Sequence, residues 1–182
     1  MSQTTLDIKE PGLNVLPPGV ERHVVNAGGL TGLQIFPDDE IEIINDEGNQ
    51  ICEIVCFDKD GKSELGILNQ KENCKKSFIK EILNRKDESS LVTNFQLKKR
   101  NLDINKSKSS VLFDDKTPSG EKIKIKSKDK CYVIFSAQQN DMLVSEQNPS
   151  SDLTIFIKRA KIINDKELSV IPDPVFEPNF EE

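Results

Sequence analysis

The chain has no tryptophan, one tyrosine (Tyr132) and one histidine (His23). A surface that stacks nucleic-acid bases uses several exposed rings, so a single tyrosine argues against one. A lone imidazole also leaves little material for a Ser-His-Asp or Cys-His relay. Lysine and arginine total 25 against 31 aspartates and glutamates, a formal net charge of −6. The basic excess of a phosphate-binding face is therefore missing. No apolar run approaches the roughly 18 residues of a membrane span. The first residues carry neither the basic nor the apolar region of a secretory signal. These absences lead one to expect a soluble, cytoplasmic protein without nucleic-acid or membrane partners.

Cysteine is sparse and scattered, at Cys52, Cys56, Cys74 and Cys131. Without a secretory signal, these read as thiols rather than bridges. Cys52 and Cys56 are four apart in a strand-like stretch and so share a face. Structural zinc needs three or four ligands, and only His23 is on hand to join them. Core thiols are the expectation, and no metal site is expected.

The 182 residues suffice for one domain with tails, and a hydrophobic content of 35% allows a modest core. Residues 1–20, with Pro11-Gly12 and Pro17-Pro18-Gly19, read as an extended arm. Residues 21–168 read as a single β-rich domain. Its first strand, ERHVVN, is followed by Ala27-Gly28-Gly29-Leu30-Thr31-Gly32, whose glycine spacing matches neither phosphate-loop pattern. A turn or a close backbone crossing is the reading there. Residues 38–58, DDEIEIINDEGNQICEIVCFD, read as two strands around an Asn-Asp-Glu-Gly-Asn turn, and so as a hairpin. Residues 64–68 read as a weak strand. Residues 74–101 form a helical insert: Phe78, Ile79, Ile82 and Leu83 recur at helical spacing, then Leu91, Val92, Phe95 and Leu97 on a second helix capped by Asp87 or Ser89. Short strands return at 110–113, 121–127, 131–137 and 152–158. Residues 169–182 contain Pro172, Pro174 and Pro178 and read as a linker or docking tail. Short strands, frequent turns and one helical insert predict a mainly β fold, a barrel or a sandwich.

Residues of a chemical site are harder to find. The candidates for lining a pocket are polar groups near the central strands: Gln50, Glu53, Gln138 and Asp141. An acid pair from Glu53 with Asp141 or Asp152 is expected by chance among 31 acids.

Residues 38–58 together with CYVIFSAQQNDM and NPSSDLTIFIK resemble the urea-carboxylase-associated domain family. Its members show a strand, an acidic-Gly-x-Gln turn and a strand ending in an acid, and close on a Pro-x-x-Asp-Leu stretch. The tail IPDPVFEPNF is similar to the connector that precedes folate-dependent aminomethyltransferase modules of the glycine-cleavage T-protein type. The resemblance implies amine, guanidine or urea nitrogen metabolism, with an aminomethyltransferase-type module or subunit as partner. It implies tetrahydrofolate only where such a module is attached or associated. The chain departs from the family's active members. Its central region has no histidine, and Gln138 stands after Ser136-Ala137 where they carry cysteine. A non-catalytic, degenerate accessory domain is accordingly the first expectation. The alternative is an enzyme or binder acting on an amidine, urea or methylated amine, with Glu53 holding the cation and Gln50 and Gln138 orienting it.

Overall fold

A computed structural model describes residues 16–139 and 149–161. Val20, the end of the arm expected at 1–20, already belongs to the first strand; residues 1–15 of that arm, the tail at 169–182 and the candidate Asp141 lie outside the described residues. Among them, eight strands form two four-stranded antiparallel sheets. The strands are β1 (Val20–Val25), β2 (Leu30–Ile35), β3 (Glu40–Asn45), β4 (Cys52–Asp58), β5 (Ser109–Phe113), β6 (Glu121–Lys126), β7 (Cys131–Ala137) and β8 (Leu153–Lys158). One sheet runs β1-β8-β3-β6 and the other β2-β7-β4-β5. That interleaving is the order of a double-sheet jelly roll, in which all successive strands but β4 and β5 cross between sheets. The mainly β expectation with a small helical insert holds, as a sandwich.

The two sheets close on one core. Inward residues alternate along each strand: Ile41 and Ile43 from β3, Cys52, Ile54 and Cys56 from β4, Cys131, Val133 and Phe135 from β7, Ile155 and Ile157 from β8. The outer face of β3 and β6 is wet, and Glu42 meets Lys122 and Lys124 there at 3.6 and 3.3 Å. The outer face of β4 and β7 is covered. The chain between β4 and β5 carries helix α1 (Phe78–Leu83) and helix α2 (Glu88–Lys99), which lay Ile79, Ile82 and Leu97 on Val55, Phe57 and Ile134. With one face in the inter-sheet core and the other under helices, the first six residues of β4 are buried. Cys52, Cys56 and Cys131 are core thiols. Burial pushes Cys52 up, and its shared hydrogen bond with Cys131 together with burial pushes Cys56 up.

Three expectations need correction. Residues 38–58 give two strands but no hairpin: β3 pairs with β6 and β8, whereas β4 pairs with β5 and β7. Alternation identifies a strand without naming its neighbour, and the turn at 46–51 steps across the sandwich. Residues 65–68 form a 3-10 turn, because the Glu64 side chain accepts from the Gly66 N–H and Asn69 closes it in the left-handed region at φ 55°. On α2 the inward face is Ser90, Thr93, Gln96 and Leu97, while Leu91 is 40% exposed. The strand beneath α2 is β2, whose face toward it carries Gly32 and Gln34 beside a single apolar residue, Leu30. Asp87 caps the helix, its side chain accepting from Ser90 N at 2.9 Å.

Candidate functional site

Strands β1 and β2 each stand at the edge of their sheet, with one partner apiece. The open side between them is a groove of about 1090 Å³, roofed by α2, at the upper end of volumes that hold small ligands. The turn between the two strands forms one end. Gly28 there has φ +72°, and Gly29 lies against Asn26 O and the Ser89 hydroxyl, where a Cβ would stand 3.1 and 3.6 Å away. The glycine-rich stretch is thus a turn with a close crossing under the start of α2.

Alternation along β1 places Glu21, His23 and Val25 on one face. Val25 enters the core, while Glu21 and His23 line the groove at the end away from the turn. His23 Nε2 lies 3.0 Å from Glu21 Oε2. Arg159, just past β8, donates to both Glu21 oxygens at 2.8 and 2.9 Å. It also donates to Asp39 Oδ2 at 2.6 Å and to Gln34 O at 2.9 Å. The hydrogen bond from His23, and then Arg159, hold the Glu21 carboxyl down at about 2 from an ordinary 4.5. From the roof, Arg100 stacks on the Tyr132 ring at 4.6 Å and donates to the Gln96 side chain. Thr93, Val92 and Leu30 complete the walls.

Gly32 sets the depth of this end. A Cβ at Gly32 would run into the Tyr132 hydroxyl. Gly32→Ala is expected to cost about 1–3 kcal/mol by overpacking and to displace the Arg100–Tyr132 stack. Tyr132 is the chain's one fluorescent tyrosine and no tryptophan competes, so its emission and a denaturant titration check both effects.

The residues singled out from sequence lie elsewhere. Gln50 is fully buried, its amide donating to Ile51 O at 2.9 Å and Gln138 O at 2.7 Å, and its oxygen accepting from Ser151 N at 2.8 Å. It ties the β3–β4 connection to the end of β7 and to the chain entering β8. Gln138 is half-buried and joins that tie through its backbone. Glu53 lies beneath α1, fully buried. Its carboxyl oxygens accept from Ser77 Oγ at 2.6 Å and Ile79 N at 2.9 Å. The structure brings Gln50 and Gln138 together but sets Glu53 apart, under the helix, and none of the three lines the groove. The groove residues had one signal in the sequence, the acid-x-His pair Glu21-x-His23 on a strand.

Among the described residues no three His, Cys, Asp or Glu side chains converge as metal ligands, and no helix is long and apolar enough to cross a membrane.

No family model matches the chain. It is 32% identical over 171 residues to a trimethylamine-oxide aldolase of Ruegeria pomeroyi, a span of 94% of this chain and 22% of that protein. The chain is similar to part of an amine-metabolising enzyme. It spans about a fifth of the length of that curated relative. The finding overturns the expectation of a non-catalytic accessory domain, because nearly all of the chain matches a stretch of an enzyme. It agrees better with the alternative, small-molecule chemistry on a methylated amine.

Proposed function

We propose that this chain takes part in breaking down a methylated amine oxide and that the groove between β1, β2 and α2 is its ligand site. The observation that carries this is the 32% identity, across 94% of the chain, to a trimethylamine-oxide aldolase. An aldolase acting on such a substrate separates an aldehyde from an amine. By atom balance, trimethylamine N-oxide yields dimethylamine and formaldehyde, the carbon being oxidised and the nitrogen reduced within one molecule.

The chemistry of the groove suits that ligand. An N-oxide oxygen carries concentrated negative charge and is a strong acceptor, so it calls for cationic or hydroxyl donors. Arg85, Arg100 and Tyr132 supply them, while Leu30 and Val92 offer apolar surface to methyl groups. A small ligand would occupy one end of the groove. The resemblance to urea-carboxylase-associated domains adds a folate-dependent aminomethyltransferase-type module as partner. Tyr132 is the single aromatic among the described lining residues and Arg100 covers its ring. In this reading a folate would be held by that module.

A thermal-shift panel of trimethylamine N-oxide, trimethylamine, dimethylamine, guanidine and urea tests the reading. A ligand at 100 times its dissociation constant stabilises the fold by about 2.7 kcal/mol. The expected result is a raised midpoint with the N-oxide that Arg100→Ala abolishes. A response to guanidine or urea alone would move the chain to amidine chemistry, and silence across the panel would overturn the proposal.

A further inference from the structure

The groove is lined by the chain's single histidine, His23, and a neutral imidazole can accept a proton at one ring nitrogen and give it back. Its Nε2 faces Glu21, which Arg159 clamps through both carboxylate oxygens. An ionised carboxylate only accepts, so Nε2 must carry the hydrogen. Neutral His23 then presents a bare Nδ1 lone pair, and Nδ1 has no hydrogen-bond partner among the described residues. A base, an acid that orients it and a cation that orients the acid are the parts of a proton relay. Here they stand in the wall of the ligand groove.

We propose that His23 is a catalytic residue of the groove: its Nδ1 takes a proton released from the methyl carbon of the amine oxide and returns it to the departing amine nitrogen. This rests on the function proposed above. In the net conversion a C–H bond breaks, oxygen passes from nitrogen to that carbon, the C–N bond breaks, and nitrogen gains one hydrogen. Carbon loses two electrons and nitrogen takes them. The proton that His23 accepts is the one it gives back, so the step needs no external oxidant. Glu21 stabilises the imidazolium in between and is a positioning residue, as is Arg159. The other charged or titratable groups lining the groove are Arg85, Asp87, Glu88, Arg100 and Tyr132, and Asp39 shares Arg159 with Glu21.

With one histidine, nitrogen-15 imidazole spectra of the whole chain contain a single ring. The free protein is expected to show the Nε2–H tautomer, with Glu21→Gln relaxing that preference. Trimethylamine N-oxide is expected to shift the Nδ1 resonance. In the intact protein carrying this chain, His23→Gln should lower kcat for aldehyde release about 10²–10⁴-fold. KM should stay nearly unchanged, and the acidic limb of the pH profile should disappear; a merely structural histidine would move neither the split nor the limb. If the N-oxide raises the melting midpoint yet Nδ1 does not respond and His23→Gln turns over normally, the assignment of His23 is wrong and the proposed function stands. If the N-oxide raises no midpoint at all, the function falls and the assignment with it.

Discussion

Replacing Arg159 by alanine is expected to destabilise the protein by about 3–5 kcal/mol, the cost of leaving a buried partner charge uncompensated. Asp39 is that partner. Its side chain is 1% exposed and that of Arg159 7%. Besides Arg159, the Asp39 carboxylate accepts from Phe36 N and Ala160 N at 3.0 Å each. Removing the guanidinium also takes a donor from Glu21 and from Gln34 O, so the β2 edge loses a tie to the end of β8, while β1 keeps its ladder to β8. Urea unfolding at neutral pH measures the loss. A cost below 1 kcal/mol would show that the pair is no more than an exposed ion pair.

The pH dependence has a definite sign. Glu21 is held at about 2 in the folded protein against 4.5 ordinarily. A carboxyl with a depressed folded value binds fewer protons folded than unfolded, so stability rises with pH through that window. The contribution of Glu21 is present above about 4.5 and is lost as pH falls toward 2. In Arg159→Ala this acid-sensitive portion should shrink, and unfolding midpoints between those pH values should converge with the wild type.

Glu53→Ala is the second large effect, and it should appear in stability ahead of ligand binding. The side chain reaches from β4 to the start of α1 and satisfies the buried Ile79 N–H and the half-buried Ser77 hydroxyl. An alanine leaves the buried Ile79 N–H without its partner, at roughly 1–3 kcal/mol. Glu53→Gln keeps one acceptor for Ile79, and the Ser77 hydroxyl can turn to accept from the new amide, so its cost should be smaller. Amide exchange locates the effect: protection at Ile79 and Ile82 should fall in Glu53→Ala while β4 stays protected. If α1 remains protected, Glu53 does not hold the helix.

Glu53 also shows why the candidate site was hard to read. An acid inside the apolar run CEIVCFD looks like a ligand group, because strands buried on both faces rarely carry one. Here the buried acid caps a helix laid over the sheet, Ser77 being 24 residues away in the chain. Gln50 misleads in the same way, as its partners at Gln138 and Ser151 stand 88 and 101 residues on. The strand ERHVVN puts Glu21 and His23 on one face, since they are two residues apart. Nothing local tells that this face borders an open seam rather than a filled core.

What the sequence determined by itself is local. Period-two alternation placed β3 and β6, and apolar strand-like runs placed β7 and β8, within a residue or two. The spacing of Phe78, Ile79, Ile82 and Leu83 placed α1, and Asp87 or Ser89 marked the start of α2, which Asp87 caps. Hydrogen bonds and φ preferences that act over a few residues are enough for these. Pairing lies beyond that range. Residues 40–45 and 52–58 are neighbours in the chain, yet they belong to opposite sheets, because β3 finds its partners in β6 and β8. The groove likewise exists because β1 and β2 fall at two sheet edges and α2 turns its polar face toward one of them. Arg159 reaches Asp39 across 120 residues and Glu21 across 138. Contacts at such separations are chosen by the burial of the whole sandwich, and no window of the sequence contains both partners.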